Sequence, residues 1–268
     1  NNIEFIPLLL NLDGENIEDD LGKSLGYREF YDKLREGSMP STSQINIYTF
    51  EEKFRELLNE GYEILYVGLS SALSGTFNSA NMARNNILEE NPNAKISVVD
   101  SLSVSMGVGM LVKKSCDMIE EGKDLEYITT WIEENKNKVI HSILVDDLKH
   151  LKRGGRISAS TAAVGSLLNI KPILKIDNNG AVEATEKIKG KKKALKYLAT
   201  VVKEKAVNIK SETLYIMHGD ALEEAQALKD IILQELNFKE IKIQYIGTVI
   251  GSHGGPGTIA TIFWGNER

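Results

Sequence analysis

The chain contains a single cysteine, Cys116, in 268 residues, so it has no internal disulfide and no multi-cysteine metal site. Cys116 falls within an apolar helical pattern and reads as a core residue. Histidines number only four, and no HExxH, EF-hand or His/Cys cluster occurs, which argues against a bound metal. No apolar run approaches the ~20 residues of a membrane span, and no signal peptide is visible, so no stable membrane insertion is expected and the compartment reads as cytoplasmic. A phosphate-binding loop is missing as well: Gly22-Lys23-Ser24 has Ile17 where the first glycine belongs. Without a dinucleotide fingerprint either, nothing points to ATP or NAD as a cofactor. The net charge of −6 argues against wholesale nucleic-acid binding.

What is present is an alternation of short apolar runs and amphipathic stretches. Phe5–Leu10, Glu63–Leu69 and Ile96–Asp100 read as strands. Helices are predicted at 27–36, 50–59, 76–90, 104–121 and 125–135, the second opened by a capping box of Thr49 and Glu52. Strands separated by helices imply a largely parallel sheet, whose ligands usually sit beyond the strand C-termini. From residue 139 the pattern changes. Strands at 139–145, 170–176, 181–188, 213–218, 241–248 and 258–264 include a pair flanking Asp177-Asn178-Asn179-Gly180, a strong hairpin signal. The fold class is therefore α/β with two domains: residues 1–138 with a mainly parallel sheet, residues 139–268 with a mixed one.

Three segments crowd small polar residues between these elements. They are Pro40-Ser41-Thr42-Ser43-Gln44, Ser70-Ser71-Ala72-Leu73-Ser74-Gly75-Thr76 and Gly251-Ser252-His253-Gly254-Gly255-Pro256-Gly257. Hydroxyls and close-approaching backbone N–H groups suit an anionic or carbonyl oxygen. The second segment reads at its plainest as a helix N-cap, yet four hydroxyls in seven residues exceed what one cap needs. The first reads equally as a turn entering the helix at Phe50. His253, set between glycines in a loop, is the only ionisable residue in the three. Joined together, they would grip a small polar head mainly with neutral donors, as in a binder of something largely apolar with one anionic end. A competing reading is a serine esterase: Gly68-Leu69-Ser70-Ser71-Ala72 nearly spells a nucleophile elbow, with Ser70 or Ser74 paired to His253. It needs an acid behind the histidine, such as Asp100 or Asp220. Lys187, Lys189, Lys191, Lys192, Lys193 and Lys196 form a basic stretch that is either a solvated face or, with Lys149, Lys152, Arg153 and Arg156, a docking patch for an acidic partner.

In this order, and together with Asp100-Ser101, the run from Leu148 to Ile157 around Arg153-Gly154-Gly155-Arg156, and Ile170-Lys171-Pro172-Ile173-Leu174, these segments resemble the DegV family of bacterial lipid-binding proteins. The resemblance implies a long-chain fatty acid buried between the two α/β domains, and no other cofactor. It implies, for some members, service as a non-catalytic carrier that presents the carboxylate to a separate ATP-dependent kinase subunit for phosphorylation to acyl phosphate. A lipid sensor or storage protein is the alternative within the same chemistry. Carried over by position, Thr42, Ser74 and His253 would contact the carboxylate, with Ser43, Gly75, Thr76 and Gly254 nearby. Arg153 and Arg156 would lie at the pocket mouth. The family usually starts with a strand ending in Thr-Asp-Ser; this chain opens at Asn1 beyond that motif, so a first strand is expected to be missing. Burying ~15 methylenes at roughly 0.8 kcal/mol each supplies about 12 kcal/mol before the costs of binding, so the head needs no strong ion pair.

Overall fold

The computed structural model describes residues 3–157 and 169–268. Pro7 interrupts the apolar run expected as a strand at 5–10, because a proline offers no N–H to a ladder. The first strand is instead β1 (Leu9–Leu12), paired antiparallel with β2 (Glu15–Glu18) and with β3 (Ser41–Ser43). Asp13 and Gly14 join β1 to β2 with φ of 53° and 92°, the left-handed pair that a two-residue hairpin loop requires. Thus the first small-residue segment is a strand edge rather than a turn, with Thr42 opposite Leu10.

Helix α1 (Tyr27–Glu36) follows β2, and α2 (Ile47–Asn59) follows β3. The latter begins three residues earlier than its sequence pattern suggests. Asn46 caps it by accepting from the Thr49 N–H at 2.9 Å, which places Thr49 and Glu52 inside the helix. Strands β4 (Ile64–Gly68) and β5 (Ile96–Asp100) pair in parallel on either side of α3 (Thr76–Glu90), as the alternating pattern predicts. Helices α4 (Met106–Glu120) and α5 (Leu125–Asn135) complete this half.

The second half is built on a six-stranded sheet. Its strands are β6 (Val139–Leu144), β7 (Ile170–Ile176), β8 (Val182–Lys189), β9 (Thr213–His218), β10 (Glu240–Tyr245) and β11 (Ile259–Trp264). They lie in the order β10-β9-β11-β6-β7-β8, with β9 and β10 parallel and the other pairs antiparallel. The expected mixed sheet is therefore present. The hairpin at Asp177 is also as read: its Oδ1 accepts from the N–H groups of Asn179 and Ala181. Short helix α6 (Lys149–Arg153) follows β6; α7 (Lys191–Lys205), α8 (Leu222–Leu233) and α9 (Thr248–Gly254) follow β8, β9 and β10.

Side chains alternate across this sheet, as strand geometry demands. Ile140, Leu144, Ile216, Ile259 and Phe263 pack under α7 and α8 in one dry core. Their neighbours in sequence, among them Met217, Ala260 and Ile262, face the first half and share a second core with Met110, Leu111 and Met118 of α4. Tyr31, fully buried on α1, donates its hydroxyl to the Ile246 carbonyl at 2.9 Å and so ties the two halves together. Among the described residues no strand ladder joins a residue before 139 to one after it.

Candidate ligand-binding cavity

A cavity of about 310 Å³ lies between the open face of the six-stranded sheet and the loops of the first half. That is at the lower end of small-molecule sites, roughly 300–1,000 Å³. Ile143, Leu174, Ile176, Ala260 and Ile262 supply its apolar floor, with Leu69, Leu73 and Val249 above. Most polar groups gather at one end, where all three small-residue segments meet: Thr42, Ser43, Gln44, Ser74, Gly75, His253 and Gly254 all line the wall.

His253 stands in the last turn of α9, not in a loop as its glycine neighbours suggest. The glycines favour this helix because they let it approach α1: a Cβ on Gly251 would come within 2.5 Å of the Tyr31 hydroxyl. Only after Gly255, at φ 79°, does the chain turn away. The His253 Nε2 lies 3.0 Å from Thr42 Oγ1. Its Nδ1 has no hydrogen-bond partner among the described residues and sits against Gly154, where a Cβ would approach to 2.1 Å. Ser74 and Thr76 are joined hydroxyl to hydroxyl at 2.9 Å, and Thr76 Oγ1 also accepts from the Ile45 N–H. Thr76 is therefore buried behind Ser74 rather than in the wall. A Cβ on Gly75 would come to 2.0 Å from the Gln44 side-chain oxygen, so the two segments lie in close contact and the Gln44 amide would have to turn aside for a larger residue.

The two arginines part company. Arg156 reaches the polar end of the cavity and donates from Nε to the Leu73 carbonyl at 3.0 Å. Arg153 does not line the cavity; its exposed guanidinium is turned toward His150 Nδ1 and the Ser252 carbonyl. The basic stretch also divides. Lys192 and Lys193 are exposed at the start of α7, whereas Lys191 is half-buried with its ammonium 2.9 Å from Glu224 and 3.4 Å from Asp146. Local carboxylates thus neutralise Lys191, which removes it from an exposed patch.

Hydrolase geometry does not assemble around these residues. Ser70 is fully buried and donates to the Gly180 carbonyl at 2.8 Å. Asp100 accepts from the N–H groups of Ser71 and Leu102, and Asp220 pairs with Arg35 and Tyr245, so neither orients His253. Ser105 and His141 line the cavity without having been singled out in the sequence. For His141 the usable signal was strand alternation, which places it on the same face as Ile143.

Burial, with Arg156, Arg153 and His150 adding like charge, pushes the His253 pKa down to about 4. Burial and Arg268 push that of His141 down to about 3. Both rings are neutral in the folded chain near neutral pH, whereas in the unfolded chain they titrate near ~6.5. On acidification the unfolded state takes up protons first, so the stability present above ~6.5 is lost as pH falls toward 4 and then 3. The displacement at His253 alone is worth roughly 3 kcal/mol across that window. Urea denaturation should therefore give a lower midpoint at pH 5 than at pH 7.5, and His253→Gln should shrink the difference. Equal midpoints for the parent chain would contradict this assignment.

Among the described residues no cluster of His, Cys, Asp and Glu is placed to hold a metal ion, and no helix is long and apolar enough to cross a membrane. Comparison with known proteins places this architecture. A DegV domain-containing protein of Clostridium perfringens is 45% identical over 266 residues, covering 99% of this chain and 91% of that protein. The solved structure of a fatty-acid-binding DegV family protein from Thermus thermophilus is 33% identical, with a TM-score of 0.86 over 97% of this chain and 90% of that one. A DegV family protein from Eubacterium eligens, solved loaded with heptadecanoic acid, is 27% identical with a TM-score of 0.83, over 97% of this chain and 92% of that one. The family model described as "Uncharacterised protein, DegV family" matches residues 1–265, and on that match and these relatives the chain belongs to the DegV family.

Proposed function

We propose that this protein holds one long-chain fatty acid in the cavity and presents its carboxylate to a separate ATP-dependent kinase subunit, which phosphorylates it to acyl phosphate. The observation that carries the binding half is the cavity's polarity: a long apolar floor with hydroxyls, His253 and Arg156 gathered at one end. In this reading Thr42, Ser74 and His253 hold the carboxylate, Ser43, Gly75 and Gly254 shape the space around it, and Thr76 orients Ser74. Arg156 adds the single positive charge that a carboxylate prefers. The fatty acids in the Thermus and Eubacterium relatives support the same ligand class. The kinase step rests on the family resemblance and on a sequence that carries no nucleotide motif of its own. Catalysis then belongs to the partner, and this chain is a carrier that works in the cytoplasm. We take residues 1–138 and 139–268 as its two domains, since both contribute to the cavity wall while their ladders stay separate.

Exposed Lys192 and Lys193, at the start of α7, are the proposed contact for an acidic partner surface, an attraction screened beyond ~8 Å at physiological ionic strength. Denaturing extraction of the purified protein should yield about one fatty acid per chain. Failure to find lipid, together with no binding of added palmitate or oleate, would overturn the carrier reading. With a kinase subunit added at low salt, K192E with K193E should slow association while fatty-acid affinity stays unchanged. An unaltered association rate would reduce those lysines to a solvated helix face.

A further inference from the structure

The cavity has a second polar end, and a fatty-acid head does not account for it. His141, Ile143 and Val145 line the floor along β6, and Ile262, Ala260 and Thr258 line it along β11, with His141 opposite Ile262 and Ile143 opposite Ala260. Thr258 belongs to the end at His253, because its hydroxyl donates to the Gly254 carbonyl at 2.8 Å. His141 lies four residues from Val145 and Ile262 four from Thr258. At ~3.3 Å per residue, roughly 13 Å of apolar wall separates the two ends.

At the far end the His141 ring is part of the cavity wall and only 1% exposed. Its Nε2 is 3.3 Å from the Val104 carbonyl, and its Nδ1 has no partner among the described residues. A neutral imidazole that donates through Nε2 keeps a lone pair on Nδ1, an acceptor without a donor. Next to it, Ser105 precedes α4 with φ 52° and ψ −135°, outside the conformations that a side chain readily permits. The Ser105 hydroxyl lines the cavity, does not cap its own helix, and has no hydrogen bond among the described residues. The two groups share one neighbourhood: Val104, which precedes Ser105, holds the ring, and a Cβ on Gly107 would come within 2.3 Å of Nε2. Backbone strain of this kind persists where the surroundings enforce it and concentrates at ligand contacts. A plain hydrocarbon chain would leave the buried His141 acceptor unpaired, which a dry environment penalises, and would offer nothing to the half-buried Ser105 hydroxyl beside it.

We propose that Ser105 and His141 form a subsite for an oxygen carried on the acyl chain itself, a hydroxyl above all, which donates to His141 and accepts from Ser105. The ligand class is then a long-chain fatty acid hydroxylated well away from its carboxylate, at a position set by the roughly 13 Å of wall. The subsite rests on the fatty-acid reading above.

The test is titration of delipidated protein with stearate and with its 2-, 10- and 12-hydroxy derivatives. The 10- or 12-hydroxy acid should bind about tenfold more tightly than stearate, and the 2-hydroxy acid should show no such gain. Ser105→Ala should bring the ratio of the two affinities close to one. His141→Leu should do the same where it folds, and the serine variant decides the matter where it does not. Stearate bound as tightly as every hydroxy acid sinks the subsite and leaves the fatty-acid reading standing. If no acid binds, stearate included, the underlying reading falls and takes the subsite with it.

Discussion

The doubly substituted protein Thr42→Ala, Ser74→Ala is expected to bind palmitate about a hundredfold or more less tightly than the parent chain, with its fold intact. In the proposed carrier each hydroxyl donates to a carboxylate, and such charged hydrogen bonds are worth roughly 1.5–3 kcal/mol apiece. Two together amount to two orders of magnitude or more in affinity. The fold should survive because neither hydroxyl holds distant backbone among the described residues: Thr42 meets His253, and Ser74 meets Thr76 two residues on. Calorimetric titration checks the affinity and circular dichroism the fold. A loss of less than about threefold would mean that the carboxylate sits elsewhere, with Arg156 the first place to look.

The second large effect is on stability, at a turn far from the proposed head. Gly180 closes the β7–β8 hairpin at φ 80°, and a Cβ there would lie 2.1 Å from Ser70 Oγ and 3.0 Å from the Leu102 Cα. Gly180→Ala therefore combines a left-handed backbone on a residue with a Cβ and a collision in a fully buried contact. Together these should cost about 2–5 kcal/mol. For a chain of this size the melting temperature should fall by roughly 5–15 °C. Adding Ser70→Gly should recover the collision with the hydroxyl and leave the backbone strain and the contact with Leu102. A melting temperature within about 2 °C of the parent would show that the turn yields more easily than its packing suggests.

Much of this architecture was legible in the sequence because apolar period and element length agree. Tyr27–Glu36, Thr76–Glu90, Leu125–Asn135 and Ile170–Ile176 begin and end where their patterns say. Where readings failed, a single local cause outweighed the pattern. Pro7 displaced the first strand, and Asn46 outcompeted Thr49 as a cap because it lies one turn earlier with its side chain on the Thr49 N–H. The glycines around His253 suggested a loop, yet they serve helix packing against Tyr31. At the cavity, the three small-residue segments were recognisable because hydroxyls and glycines are out of place between apolar runs. Ser105 and His141 were not, because their place at the cavity depends on contacts between elements distant in sequence, such as the pairing of β6 with β11, which leave no local trace. The same limit applies to Lys191, whose carboxylate partners Asp146 and Glu224 come from distant elements.

Strand β11 is read twice. Ile259 and Phe263 face the helices and hold the second half together, while Ala260 and Ile262 between them face the ligand space. Successive residues of one strand therefore answer to different physical demands. Substitutions at 260 and 262 would reshape the cavity while 259 and 263 continue to secure the sheet. A strand arranged this way lets the shape of the cavity change at every second position without loosening the layer that holds the sheet to its helices.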